Sequence, residues 1–527
     1  MKRALIAILL VVALVGSAGL AALVGLDSGS GADSSGGEAA DREARVPELE
    51  PTEGGDSATE APDPGLVRFY SQEVEWEECA DGFECATMEV PLDYEAPGAE
   101  TIDIALLRDP ARVEDQRVGS LVVNPGGPGA PGTTYAQNSS YAFADALRDN
   151  FDIVGFDPRG TGSSTAVDCL EDDELDAYLA SDPAPDDAAE RREAVAWSER
   201  LGAGCPEHSP GDLAAHVTTV EAARDMDVLR AVLGEEDLRY FGASYGTKLG
   251  ATYASLFPDR SGHLVLDGAV DPTLSGRESS LQQAEGFETA IRAYVQDCVD
   301  GSDCFLGDSV EEGLARIEDF MRSVDQEPLP TNADRELHVG NAFYGIVAPL
   351  YNRDYWTYLS TALQSAMGGN GTMLLTLADL YSSRGPNGFE DNSAEAIYAI
   401  NCLDDPWSIP AGEVPEHLPD FQEASPTFGE VFAWGLIGCE GMEVSSDVEE
   451  PDYTAEGADP ILVIGTTRDP ATPMRWAEAM HEQLDSSVLV RRDGDGHTGY
   501  FQGNRCVDEV VHDYYLDGEV PDDDVDC

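Results

Sequence analysis

The sequence predicts an α/β protein with a mostly parallel central sheet and a large, mainly helical lid inserted between two of the strands. Three observations point there. Short apolar runs alternate with helix-like segments from about residue 86 onward, the rhythm of strands joined by crossover helices. That rhythm stops after "HLVLDGAVDP" and returns only at "DPILVIGTTRDP", leaving residues 272–455 helical, aromatic-dotted and loop-rich. Finally, 42% hydrophobic residues in a chain of 527 supply a substantial core, more than one ordinary domain needs.

Taken from the start, Lys2 and Arg3 precede an apolar run from Ala4 to Gly25, the layout of an export signal. Residues 1–26 are therefore expected to be either a cleaved signal peptide or an uncleaved membrane anchor, since the run is also long enough to span a bilayer. Either way the protein is expected outside the cell, released or tethered to its surface. Residues 27–65, rich in Ser, Gly, Glu and Pro, read as a disordered acidic linker.

The ten cysteines, an even number in an exported chain, read as disulfides. Sequence neighbours suggest Cys79 with Cys85, Cys169 with Cys205, Cys298 with Cys304, Cys402 with Cys439, and Cys506 with Cys527. No metal site is expected, because none of these pairs has the two-residue spacing and paired histidines of structural zinc.

The first part of the core, residues 66–271, holds expected strands at Ile102 to Leu107, Ser120 to Val123, Ile153 to Phe156, Leu238 to Gly242 and Leu264 to Leu266. Between the third and fourth of these, Thr218 stands three residues before Glu221, a helix-start spacing, and Gly234 marks the helix end. Ala223, Met226, Leu229 and Leu233 give that helix an apolar face for the sheet. The lid, 272–455, follows; the C-terminal part, 456–527, adds strands at Ile461 to Ile464 and Ser487 to Val490.

With 102 acidic against 30 basic residues, the formal net charge of -72 excludes a general nucleic-acid binder, because phosphate is repelled over most of such a surface. Lys2 and Lys248 are the only lysines.

One constellation suggests nucleophilic chemistry. In "YFGASYGTKLG", residues 240–250, Ser244 sits between Gly242 and Gly246, after a strand and before a helix, where a sharp turn exposes a hydroxyl. Such a motif alone occurs as readily by chance, so its partners decide. A serine needs a base to take its proton and an acid to orient that base. His497, in the loop "DGDGHTGY" after the last strand, is the candidate base; His481 and His512 fall in helical stretches and read as packing or surface residues. Asp469, directly after the strand "ILVIG", is the preferred acid. Asp267, at the end of "LVLDG", is the alternative, with a loop-organising role favoured for it. The glycine-rich "VVNPGGPGAPG" offers unobstructed amides, so Gly127 and the amide of Tyr245 are the candidate oxyanion donors.

Together, "NPGGPG", "FDIVGFDPRGTGSS", "GASYGTKLGATYASLFPD", "LVLDGAVDP", "GTTRDPATP" and "GDGHTGY" resemble the secreted tripeptidyl aminopeptidases of actinobacteria, within the proline iminopeptidase group of α/β-hydrolases. The similarity runs from about Trp76 to Cys527. It implies an α/β-hydrolase fold with Ser244 as nucleophile, Asp469 as orienting acid, His497 as base, and Gly127 with Tyr245 as the oxyanion site. It makes Arg159 a structural tie beside the site, and Asp404, in "AINCLDDP", the candidate acid for a substrate's free ammonium group. Lys248 departs from the uncharged residue expected there.

The expected activity is that of a serine exopeptidase removing short peptides, tripeptides by the resemblance, from free N-termini through an acyl-enzyme, with no cofactor. Its partners would be peptides with a free N-terminus. A carboxylesterase or lipase using the same machinery, and a catalytically inactive binding protein on the same scaffold, are the alternatives.

Overall fold

The computed structural model describes residues 59–80 and 82–527, so the signal-or-anchor segment and most of the expected linker lie outside the described residues. Among the described residues, no helix is long and apolar enough to cross a membrane. The chain is anchored from its first described residues: Asp63 caps a turn at Pro64–Leu66, and the Glu60 carbonyl accepts a bond from Arg260.

Among the described residues twelve strands follow: β1 (Glu77–Ala80), β2 (Phe83–Pro91), β3 (Thr101–Asp109), β4 (Gly119–Asn124), β5 (Phe151–Phe156), β6 (Leu238–Ala243), β7 (Ser261–Asp267), β8 (Arg384–Gly385), β9 (Gly388–Phe389), β10 (Ile461–Arg468), β11 (Ser487–Asp495) and β12 (Val525–Asp526). Ten of them form one sheet, ordered β1-β2-β3-β5-β4-β6-β7-β10-β11-β12, while β8 and β9 pair as a small separate hairpin. The first three pairings are antiparallel; every pairing from β5/β4 to β11/β12 is parallel. This is the mostly parallel sheet of an α/β-hydrolase.

The expected seven strands are all present; β4, β5, β6 and the first six residues of β10 are buried almost throughout, as strands under crossover helices must be, whereas β3 alternates buried and more exposed positions. Successive side chains alternate between the two sides: Tyr240 joins the cluster of Met226, Leu249 and Leu264, while Phe241 joins that of Val123, Phe143 and Ile464. The strands not foreseen are β1, β2, β12 and the β8–β9 hairpin; the nine-residue β2 alternates buried Met88 and Val90 with exposed Thr87 and Glu89 instead of forming an apolar run. Exposed β1 carries three polar or charged positions and leans on β2 through Cys79–Cys85, and two-residue β12 is held by Cys506–Cys527. All five suggested disulfides are formed, adding Cys169–Cys205, Cys298–Cys304 and Cys402–Cys439.

The helix Thr219–Val232 begins where expected, with the Glu221 amide donating to the Thr218 hydroxyl oxygen. It is buried on more than its apolar face. Asp225 receives two bonds from buried Arg159, which also donates to the carbonyls of Pro91, Leu92 and His216. Asp227 pairs with Arg230 and Arg260. Such charges tolerate burial only because each is paired and hydrogen-bonded.

Between β7 and β10 the chain is helical, from Gly276–Asp300 to a short 3-10 turn at Gly435–Gly441. Much of it packs on itself, around residues such as Ile291, Leu350 and Leu359. The helix Ser393–Asp404 does not: Ala396, Ala399, Ile400 and Leu403 join the cluster beneath the sheet. The inserted span is thereby fastened to the core at its middle as well as at its ends.

Candidate active site

Ser244 occupies the single residue between β6 and the helix Tyr245–Leu256, at φ 56° and ψ -126°. A non-glycine residue rarely adopts such a backbone, and the strain is borne by the serine itself. The flanking glycines give room: a Cβ on Gly242 would lie 2.3 Å from the Gly246 carbonyl oxygen, and one on Gly246 would lie 2.8 Å from Asn124 Oδ1. Although it stands at a helix N-terminus, the Ser244 hydroxyl makes no capping bond. Its amide donates to the Asp267 carbonyl at 2.9 Å, and its own carbonyl receives bonds from Thr247.

The loop after β4 lies directly against this turn. Gly126 (φ 99°) is close enough that a Cβ there would meet Ser244 Cβ at 2.8 Å and the Tyr245 nitrogen at 3.0 Å. The Gly126 amide is held by Asn124 Oδ1. Neither the Gly127 nor the Tyr245 amide donates to any protein group among the described residues. A free Tyr245 N–H next to the hydroxyl at a helix N-terminus, with the free Gly127 N–H one residue past the contacting Gly126, suits a developing negative oxygen.

Past β11, His497 is buried, and its Nδ1 meets both oxygens of Asp469 at 2.9 Å. Asp469, following β10, also accepts amide hydrogens from Ala471, Thr472 and Thr498. A nitrogen facing a carboxylate carries the proton, which leaves Nε2 with its lone pair. That Nε2 is buried without a hydrogen-bond partner. Burial lowers the affinity of the ring for a proton, but the charge and hydrogen bond of Asp469, aided by Asp267, outweigh it, and the His497 pKa is raised above its ordinary value.

The imidazole reaches the serine turn through the residue after β7. A Cβ on Gly268 would come within 3.1 Å of His497 Cε1, and the preceding residue, Asp267, holds the Ser244 amide. No hydrogen bond joins Ser244 to His497. The structure thus brings Ser244, Gly127, Tyr245, His497 and Asp469 to one end of the sheet.

Two contributions from the inserted helices were not legible in the sequence. The His497 amide donates to the Tyr351 carbonyl at 2.7 Å, with the Tyr351 ring edge-on to the imidazole at 5.3 Å. Arg353 bridges Asp297 of the insertion and Asp495 of β11. The histidine loop is therefore clasped by the insertion.

Asp404, expected to face a substrate's ammonium group, has other partners. Its Oδ1 accepts the Thr219 amide at 2.8 Å, and its Oδ2 accepts the Thr219 hydroxyl at 2.5 Å and Lys248 Nζ at 3.0 Å. Both oxygens are engaged and it is paired with Lys248, so Asp404 is an ion-pair partner and not a free carboxylate facing a substrate's ammonium group. Lys248 also reaches Glu450 at 2.8 Å, and burial opposed by the charges of Asp404 and Glu450 leaves its pKa raised. The same cluster touches the site, since the Tyr245 hydroxyl bonds Thr219 Oγ1 at 2.6 Å. Lys248→Ala is expected to destabilise the fold by about 3–5 kcal/mol, because it leaves the Asp404 carboxylate buried and uncompensated. Urea denaturation of wild type and variant measures this, and coincident midpoints would refute the pairing.

Residues 425–527 match the family described as TAP-like protein. Over 483 residues the chain is 35% identical to the serine protease Hip1 of Mycobacterium tuberculosis, covering 86% of this chain and 91% of that protein. The chain belongs to the TAP-like α/β-hydrolases. It is a serine hydrolase. Another relative, carboxylesterase B of M. tuberculosis, is 34% identical over 451 residues, with 84% of this chain and 86% of that protein covered. Tripeptidyl aminopeptidase of Streptomyces lividans is 29% identical over 481 residues, 86% of each chain. In this TAP-like hydrolase the serine turn and the paired histidine stand at the ends of β6 and β11, where ligands approach a parallel sheet.

Proposed function

We propose that this TAP-like hydrolase is an exported serine exopeptidase that releases short peptides, tripeptides in the first place, from free N-termini. The observation that supports the chemistry best is the buried His497–Asp469 pair, which leaves Nε2 without a partner, together with the strained Ser244 turn. The substrate class rests on the relatives named serine protease and tripeptidyl aminopeptidase. Five disulfides favour an oxidising compartment.

On this reading Ser244 Oγ attacks the scissile carbonyl while its proton passes to His497 Nε2, a bond that tightens once substrate is in place. The Gly127 and Tyr245 amides receive the oxyanion, and Asp469 holds the resulting imidazolium. Nε2 then gives its proton to the leaving amine, and the same nitrogen draws a proton from the water that releases the acyl group. The inserted helices hold the histidine loop through Tyr351 and Arg353, and on this reading they limit attack to chain ends.

A panel of aminoacyl, dipeptidyl and tripeptidyl anilides, each with free and acetylated amine, tests it. The tripeptidyl anilide with a free amine should turn over fastest; equal rates for acetylated and free forms would refute amine recognition. The relative named carboxylesterase B supports a second reading, acyl-ester hydrolysis. Rapid cleavage of nitrophenyl esters with none of the anilides would favour it.

A further inference from the structure

We propose that Asp267 is a positioning residue that locks the Ser244 turn and the His497 loop into one register, acting on both through separate atoms. This rests on the roles proposed above for Ser244 and His497.

Asp267 ends β7, between β6 and β10, and is 1% exposed. Its main-chain oxygen accepts the Ser244 amide at 2.9 Å, and the next amide, of Gly268, donates to the Ile464 carbonyl of β10. Its carboxylate faces the opposite loop, with Oδ1 accepting the Gly499 amide at 2.7 Å and Oδ2 the Tyr500 amide at 2.8 Å. One residue therefore joins the main chain of the serine to the main chain just beyond the histidine.

The loop it grips needs gripping. Thr498 (φ 68°) and Phe501 (φ 57°) hold left-handed backbones that residues with side chains seldom adopt, and such conformations persist only where neighbours over-determine them. Here three consecutive amides are received by two carboxylates: that of Thr498 by Asp469, those of Gly499 and Tyr500 by Asp267. The Thr498 carbonyl is held in turn by the Thr466 hydroxyl and Arg492. Asp469 orients the imidazole directly, whereas Asp267 makes no bond to the ring and sets the path of the chain that carries it.

Charge acts in the same direction. The groups facing Asp267 are His497 in its loop, Asp469 after β10, Arg492 on β11, and the hydroxyls of Tyr135 and Tyr500. Burial pushes the Asp267 carboxyl up to about 6 against the two amides and His497, which lower it. Both amides need an acceptor, so the ionised form fits the loop; a protonated oxygen would set an O–H against an N–H.

Labelling by a fluorophosphonate, which requires the nucleophile and its base but no peptide recognition, tests the proposal. Its rate would be followed against pH for wild type, Asp267→Asn and Asp267→Glu. Asp267→Asn offers an NH2 to one of the two amides and removes a negative charge near the imidazolium. Its labelling should fall by about tenfold to a hundredfold, and its acid limb should move down by about half a pH unit or more. Asp267→Glu keeps the charge but misplaces the oxygens, so the rate should fall with the limb unmoved. A wild-type rate and limb in Asp267→Asn overturn the proposal, as does a slower rate with an unmoved limb and a matching fall in Tm, the signature of a structural role alone. If Asp267→Asn does not fold, Asp267→Glu decides, and a wild-type rate there overturns it. A wild type that is never labelled overturns the Ser244–His497 reading beneath it.

Discussion

Ser244→Ala is expected to lower turnover of the best anilide by about six orders of magnitude while leaving the fold intact. The loss is large because the serine, its base and the orienting acid act as a unit, and without the hydroxyl no acyl-enzyme can form. What activity remains would come from the oxyanion amides and binding alone. The fold should survive because Ser244 contributes to it through its main chain. Its amide is held by the Asp267 carbonyl and its carbonyl by Thr247, whereas its side chain makes no capping bond. Alanine also inherits the positive φ without added bulk. Stopped and continuous assays of the purified variant, with Tm measured alongside, check both halves. Activity near that of wild type would show another nucleophile at work, and a collapse of Tm would show that the hydroxyl is structural.

The features legible in the sequence are those that depend on near neighbours or on burial. Apolar runs became β4, β5, β6 and β10 because a strand buried on both faces must be largely apolar. Ser244 stood out because a strand, two glycines and a helix start leave little else for it to do. His497 and Asp469 stood out because each follows such a strand. Cysteines close in sequence proved close in space. Asp267 was read as a loop-organising carboxylate, and its bonds to Gly499 and Tyr500 are of that kind.

The rest depends on pairings between distant segments. In a chain with 102 acidic residues the pattern around Asp404 could suggest a free carboxylate, but nothing local says that it meets Lys248, which is 156 positions away. The lysine that looked out of place is its partner. The same reason hid the Tyr351 carbonyl and Arg353: both lie in the insertion, and their value comes from touching His497 and Asp495, far along the chain. The ion pairs that bury the helix Thr219–Val232 escaped an apolar-face reading because Arg159, the partner of Asp225, comes from a different loop.

Asp469→Asn should reduce kcat by about 10⁴ with the architecture retained. Asparagine can still present one oxygen to the Ala471 and Thr472 amides, which now converge on Oδ1. Its NH2 then takes the place of Oδ2 as a donor facing both His497 Nδ1 and the Thr498 amide. The ring must answer as an acceptor at Nδ1 and carry its proton on Nε2, the nitrogen that should take the proton of Ser244. The base is thus present, correctly placed and in the wrong tautomer. The pH profile separates this from simple damage. Burial alone lowers the His497 pKa, and the Asp469 charge and hydrogen bond raise it above the ordinary value. With Asp469 neutralised, the acid limb of kcat/KM should therefore move down. Stability follows the same sign. A histidine whose folded pKa is raised contributes stability that is fully present below its unfolded pKa, near 6.5, and lost as pH rises through the folded value. The part of the Tm difference between wild type and variant that comes from His497 should accordingly be larger at acid pH and shrink as pH rises through the folded pKa. An acid limb that stays in place in Asp469→Asn would mean that another group sets the charge of the imidazole.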